Sequence, residues 1–104
     1  MPEYVNIFGV LYEVEYFGDP TGEDNWGECI HEKRKIRVYA GPGASEFDTL
    51  VTKVHEMCHA ILGEGLIALR GVLGDNEEAF VNDFTAAFVD TMVRNKIIKL
   101  KGGK

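Results

Sequence analysis

The residues in this chain with the clearest capacity for chemistry are His55, Glu56 and His59, in the run His55-Glu56-Met57-Cys58-His59. Side chains four apart lie on one side of a helix, one turn on, so both imidazoles can reach a single ion. Zinc accepts imidazole nitrogen at about 2.0–2.1 Å, and with three protein ligands it keeps a fourth position for water. There it lowers the pKa of that water to about 7. Glu56 follows the first histidine, so it points away from the ion but can touch the water. That is the place of a general base that later returns the proton. The chemistry expected of such a trio is metal-assisted hydrolysis.

Two imidazoles need a third ligand. The other histidine, His31, lies far upstream, whereas Asn76-Glu77-Glu78 opens a helical stretch downstream. Glu78 follows His59 after 18 intervening residues, a separation compatible with a glutamate ligand. On an ideal helix Glu77 projects into the apolar stripe of Val81, Phe84 and Phe88, and Glu78 lies about 100° to one side. The two histidines sit about 80–120° to one side of their own stripe, which runs from Phe47 to Ile61. Matching offsets make Glu78 the expected third ligand and Glu77 the alternative. Either acid also suits the first turn of a helix, where the dipole favours negative charge.

Other polar residues carry weaker signals. Cys29 and His31 alternate on an expected strand, too few ligands for a second metal. Cys58 falls in the apolar stripe, where a thiol is ordinarily buried and inert. Tyr39 or His31 is a candidate to stabilise an oxyanion, although no spacing singles either out. Trp26 is expected to pack rather than to touch a substrate.

These residues must be held by a small scaffold. The chain has 104 residues, 45% hydrophobic and 27% charged, which fits one globular domain with a real core. A formal net charge of −6 argues against nucleic acid as a partner, since phosphate neutralisation needs surplus Lys and Arg. No apolar run approaches the roughly 18 residues that suggest a membrane span, so no membrane partner is expected. The start, Met1-Pro2-Glu3-Tyr4, does not resemble a secretory leader. With two cysteines, Cys29 and Cys58, free thiols in a reducing cytoplasm are expected.

Residues 4 to 17 are rich in Tyr, Val, Ile and Phe and read as strand, broken into a hairpin at Gly9. Gly18 to Asn25 reads as a loop. Residues 27 to 31 and Lys35 to Ala40 read as strands around a polar tip, with Ile36 and Val38 on one face. Ser45 and Asp48 form a capping-box pattern ahead of the helix that carries the histidines, and Gly63 and Gly65 suit its end. Residues 66 to 73 read as a short helical turn weakened by Gly71 and Gly74. Asp75 or Asn76 can cap a last helix reaching about Arg94, with Phe80, Val81, Phe84, Phe88 and Met92 as its apolar face. The expectation is an α+β domain over residues 1–104, a small antiparallel sheet packed on two main helices, with a flexible basic tail from about residue 97.

The helix Thr49 to Leu62, followed by Glu78-Ala79-Phe80-Val81-Asn82-Asp83-Phe84-Thr85, resembles the ImmA/IrrE-like zinc metallopeptidases, many of whose short members are phage-encoded. Their downstream motif is similar to Glu-x-x-Ala-Asn-x-Phe-Ala; Glu78, Asn82 and Phe84 match it, while Val81 and Thr85 replace alanines. The hairpin from Gly27 to Val38 also resembles the one before the active helix in that family. The resemblance spans about residues 27 to 92. It implies a zincin-like fold, one zinc per chain on His55, His59 and Glu78, Glu56 as catalytic acid/base, and a protein or peptide substrate. His-Glu-Met-Cys-His is also similar to SprT-like proteases, but the downstream histidine they use as a ligand has no counterpart here. The competing expectation is a catalytically silent zincin-fold module that binds zinc and engages a regulatory protein. The sequence does not indicate an oligomeric state.

Overall fold

The computed structural model describes residues 2–18 and 26–100. Strands β1 (Glu3–Ile7) and β2 (Val10–Phe17) form a hairpin whose turn residues, Phe8 and Gly9, have φ of 55° and 91°. Positive φ at both positions gives the turn a twist that matches its strands. The Gly9 N–H donates to Asn6 Oδ1 at 2.7 Å, and the Phe8 ring lies against Gly65, where an added Cβ would come within 3.1 Å of Phe8 Cγ. Strands β3 (Gly27–Ile30) and β4 (Lys35–Tyr39) pair antiparallel around a 3-10 turn at His31–Lys33.

The sheet order is β1-β2-β4-β3, and β4 runs parallel to β2. The sheet is therefore mixed, not antiparallel as the sequence led us to expect. Strand β3 starts at the end of the sheet where β2 finishes, because Phe17 lies opposite Tyr39 and Gly27 opposite Val38. It leaves a gap one strand wide. The turn at His31–Lys33 sends β4 back into that gap, in the direction of β2. A parallel pair thus arises between two antiparallel ones without a crossover helix.

One face of the sheet buries Ile7, Tyr12, Val14, Ile36 and Val38 with Ala60. The other stays polar: Arg37 Nε meets Glu15 at 3.0 Å and its Nη1 meets Glu28 at 3.1 Å. Such one-sided burial produces the alternation seen along β4.

Helix α1 (Glu46–Glu64) opens on a complete capping box: the Asp48 N–H donates to Ser45 Oγ at 3.0 Å and the Ser45 N–H to Asp48 Oδ2 at 3.2 Å. It is buried on two sides. Ala60 and Met57 join the sheet core, while Cys58, Leu62 and Val54 pack with Val81 and Leu73. Helix α2 (Ile67–Leu73) and a 3-10 turn at Gly74–Asn76 lead into α3 (Glu77–Arg94). Asn76 stands at the N-cap, but its side chain makes no cap hydrogen bond; the preceding 3-10 turn runs straight into the helix, so neither Asp75 nor Asn76 caps it in the expected way.

The buried line of α3 is Val81, Thr85 and Val89. Slim residues let the helices approach closely, and Thr85 Oγ1 meets Cys58 Sγ at 3.6 Å. The expected aromatic face is displaced sideways. Phe80, Phe84 and Phe88 stack with centroids 5.8 and 5.5 Å apart and line an apolar groove of ≈ 650 Å³ with Ile61, Leu66 and Ile98. The loop expected over 18–25 lies outside the described residues beyond Gly18, as do residues 101–104 of the expected tail; Ile98 and Leu100 are half-buried. No single described helix is long and apolar enough to cross a membrane.

Gly27 lets β3 lie close against α1. A Cβ there would sit 2.7 Å from Thr52 Cγ2, 2.8 Å from the Arg37 carbonyl oxygen and 3.2 Å from Glu56 Oε2. Gly27→Ala should lower stability in urea denaturation by about 1–3 kcal/mol, the usual cost of overpacking. Gly71→Ala, in α2 with open space around it, should be neutral or stabilising by up to about 1 kcal/mol. Equal effects from the two substitutions would refute this packing argument.

Candidate metal centre and cleft

The two-sided burial of α1 leaves a narrow strip of its surface at the seam between sheet and α3. His55 and His59 emerge on that strip, one turn apart, with ring centroids 5.1 Å apart. Their side chains are 14% and 16% exposed. Across the seam stands the first turn of α3. Glu78 Oε2 lies 3.1 Å from His55 Nε2, and Glu78 Oε1 lies 2.8 Å from His59 Nε2. His55, His59 and Glu78 each offer one ligand atom, all within 4.8 Å of one another. Among the described residues this group is the one close enough to hold a metal ion.

The donor set fits a small cation. A four-coordinate ion with bonds of about 2.0–2.1 Å keeps its ligand atoms about 3.3 Å apart, so opening the two contacts by less than an ångström makes room. Glu78 is 62% exposed, and a carboxylate on the rim can make that adjustment.

Glu77 is placed differently from either expectation. It continues the buried line of α3 one turn before Val81, as its helical phase implied, yet its carboxylate turns to the histidines. Glu77 Oε2 lies 2.6 Å from His59 Nδ1, and Arg70 Nε, from α2, donates to Glu77 Oε1 at 3.0 Å. The neighbouring acids thus take opposite nitrogens of one ring. Burial alone would lower the pKa of His59, but the hydrogen bonds to Glu77 and Glu78 outweigh it and hold it above the usual value. Burial would raise Glu77, and the His59 and Arg70 contacts bring it below the ordinary range instead.

Glu56 lies on the far side of α1 from the α3-facing stripe, and is nevertheless 7% exposed because β3 covers it. Burial pushes its carboxyl up to about 7; the charge of His59 opposes this, while Glu78 and Glu28 add to it. A cleft of ≈ 330 Å³ opens above, lined from β3 by Gly27 and the adjoining Trp26, from α1 by Val51, Thr52, His55 and Glu56, and from α3 by Glu78 and Asn82.

The remaining candidates fall around this centre. Trp26 packs edge-on against Tyr39, with centroids 5.2 Å apart, and it also lines the cleft, so packing is only part of its place. Tyr39 donates its hydroxyl to the Pro42 carbonyl at 2.7 Å and is not among the lining residues. His31 stands in the 3-10 turn rather than on the strand, with Cys29 Sγ 3.9 Å from its Nε2 and the Tyr12 hydroxyl 3.5 Å from its Nδ1. Tyr12 donates to Glu64 at 2.8 Å, so His31 belongs to a polar cluster away from the cleft lining. Cys58 is buried. Thr52 and the hydrogen-bonding part of Glu77 had no chemical signature in the sequence.

No protein-family model, curated protein or solved structure matches this chain.

The raised Glu56 pKa has a signed consequence for metal-free protein. The folded state holds the proton more tightly than the unfolded chain, so Glu56 costs stability as pH rises from about 4.5 to about 7 and the cost then levels off. In chelator-treated protein, Glu56→Gln should be more stable than wild type at pH 8 by on the order of 1–3 kcal/mol. Near pH 4 the difference should nearly vanish. Thermal melts at both pH values measure this, and a gain that does not depend on pH would contradict the burial argument.

Proposed function

We propose that this chain is a zinc-dependent peptidase of zincin-like fold, with zinc on His55, His59 and Glu78 and with Glu56 as general base. The observation that carries the reading is the buried Glu56 carboxyl in a cleft whose wall also holds His55 and Glu78. A pure binding module needs the ligands, but it has no use for a carboxyl that costs folding energy to bury.

Zinc held by His55, His59 and Glu78 would supply Lewis acidity and would make a water molecule acidic enough to lose its proton near neutral pH. Glu56 accepts that proton and returns it to the leaving amine. Its elevated pKa suits both halves of the cycle, because a group that titrates near the working pH takes and gives protons with equal ease. A neighbouring cation would draw that value down. Thr52 and Asn82 line the same cleft as His55. Gly27 keeps its wall low where a Cβ would crowd Glu56.

A peptide is the favoured substrate class. Strand β3 is one of the two edge strands of the sheet and borders the cleft through Gly27. An extended chain can lie along such an edge and pair with its backbone. This reading agrees with the likeness to ImmA/IrrE-like metallopeptidases. The free thiols of Cys29 and Cys58 agree with work in a reducing cytoplasm.

Two measurements test it together. Metal analysis of purified protein should find about one zinc per chain, and His59→Ala or Glu78→Ala should lose it, since each removes one of three ligands. The same analysis separates zinc from iron, which two histidines and a carboxylate also accommodate. Glu56→Gln should retain zinc and lose peptidase activity on a broad peptide library by at least about 10²-fold. A Glu56→Gln variant that holds zinc and cleaves at the wild-type rate would rule the mechanism out. Wild-type protein that holds zinc and cleaves nothing would favour the interaction module.

A further inference from the structure

We infer that Glu77 is a positioning residue for the metal centre, and that Arg70 confines it to that task. The inference rests on the metal reading above. His59 is gripped from both sides: Glu78 Oε1 stands 2.8 Å from Nε2 and Glu77 Oε2 stands 2.6 Å from Nδ1. A carboxylate on Nδ1 fixes the tautomer. With a metal bound, Nδ1 would keep the hydrogen and donate it to Glu77, and the Nε2 lone pair would be free for the ion in the space shared with His55 Nε2 and Glu78. The ring orientation is fixed by the same bond, and the negative charge behind the ring makes Nε2 a stronger donor.

Glu77 is well placed to hold rather than to ligate. Its side chain is 16% exposed, against 62% for Glu78, and it sits on the buried line of α3, one turn before Val81. Its second oxygen is occupied by Arg70 Nε at 3.0 Å. That contact counters the desolvation of the carboxylate and ties α2 to the first turn of α3. A carboxylate with one oxygen on Nδ1 and the other on a guanidinium has both oxygens drawn to partners other than the ion. Adjacent acids on one helix turn are thereby given different duties by the elements packed around them, Glu78 on the rim towards the ion and Glu77 behind the ring.

The test uses full-length protein stripped with chelator and titrated with zinc against a competing chelator, with cobalt(II) absorption as the report on ligand identity. Glu77→Leu fills the same space without an acceptor and should weaken zinc about 10–100-fold, the range typical of lost outer partners. Its cobalt spectrum should keep the wild-type band pattern, because the three ligands are unchanged. Glu77→Gln still offers an oxygen to the Nδ1 hydrogen and should stay within a few-fold of wild type. Zinc affinity unchanged in Glu77→Leu would overturn the inference. So would a Glu77→Gln variant that falls as far as Glu77→Leu with an altered cobalt spectrum, the signature of a lost ligand. Should Glu77→Leu fail to fold by circular dichroism, Arg70→Gln decides: with Glu77 released it should change the cobalt spectrum or lower affinity, and wild-type behaviour in both would sink the idea. Wild-type protein that takes up no zinc, or a His59→Ala variant that binds as well as wild type, would bring down the metal reading itself. A tight wild-type site that ignores Glu77 removes this inference alone.

Discussion

Most of this molecule depends on α1 being packed from two directions. The sheet presses on it through Met57 and Ala60, and α3 presses on it through Cys58, Leu62 and Val81. Fully burying a side chain such as Leu62 or Val81 contributes about 1.5–3 kcal/mol, so neither layer comes away cheaply. What is left of the helix surface is a seam. The two histidines occupy it because residues 55 and 59 share a side of α1 between the two packed faces. The seam is also narrow enough for the first turn of α3 to reach both rings with one carboxylate. Hydrophobic packing therefore sets where the two histidines stand, and the polar contacts across the seam orient them.

Electrostatics then makes the seam a place for positive charge. Glu78 contacts both imidazoles, Glu77 contacts His59, and Glu56 feels the His59 charge through space, while Arg70 is bound to Glu77. The surplus is negative and part of it is poorly hydrated. In metal-free protein the surroundings raise the pKa of both His59 and Glu56, so each holds a proton more tightly than it would in water. A divalent ion would answer the same need by displacing the proton from Nε2 of His59, so metal affinity and proton binding are two uses of one field.

The parts of this arrangement that were legible in the sequence are those written in local spacing. The four-residue interval of His55 and His59, the capping box at Ser45 and the alternation of Ile36 and Val38 each depend on a few neighbouring residues, and each is found where it was expected. The offset of Glu78 from the apolar stripe agrees with a carboxylate that stands within reach of both imidazoles, although Glu77 also crosses the seam to His59. What could not be read depends on partners distant in the chain. The parallel pairing of β2 with β4 arises because β3 leaves a gap for β4, and no residue of either strand announces that. Burial of Glu56 escaped notice because a single apolar stripe predicts one packed face, while the second is made by small or mixed residues such as Ala60 and Gly63. The Phe80, Phe84 and Phe88 ladder looked like the core face by composition, yet close helix approach favoured the slimmer Val81, Thr85 and Val89. Glu77 was in phase with the core, and only the positions of His59 and Arg70 reveal why an acid is tolerated there.

The three candidate ligands come from both main helices, and between them the chain passes through α2 and a turn where Gly74 has φ of 53°. No residue of α2 is fully buried, so this stretch is the natural place for the fold to open first, at a free energy below that of global unfolding. Opening there would carry Glu78 away while leaving His55 and His59 on an intact α1. An ion shared by the two helices would close that stretch into a loop, much as a covalent staple does, and would suppress its excursions. Amide hydrogen exchange in the segment from Leu66 to Phe80 would then slow on metal binding far more than exchange in the sheet. The site would regulate the motions of its own connecting segment, and the lifetime of the bound ion would be set by how often that segment opens.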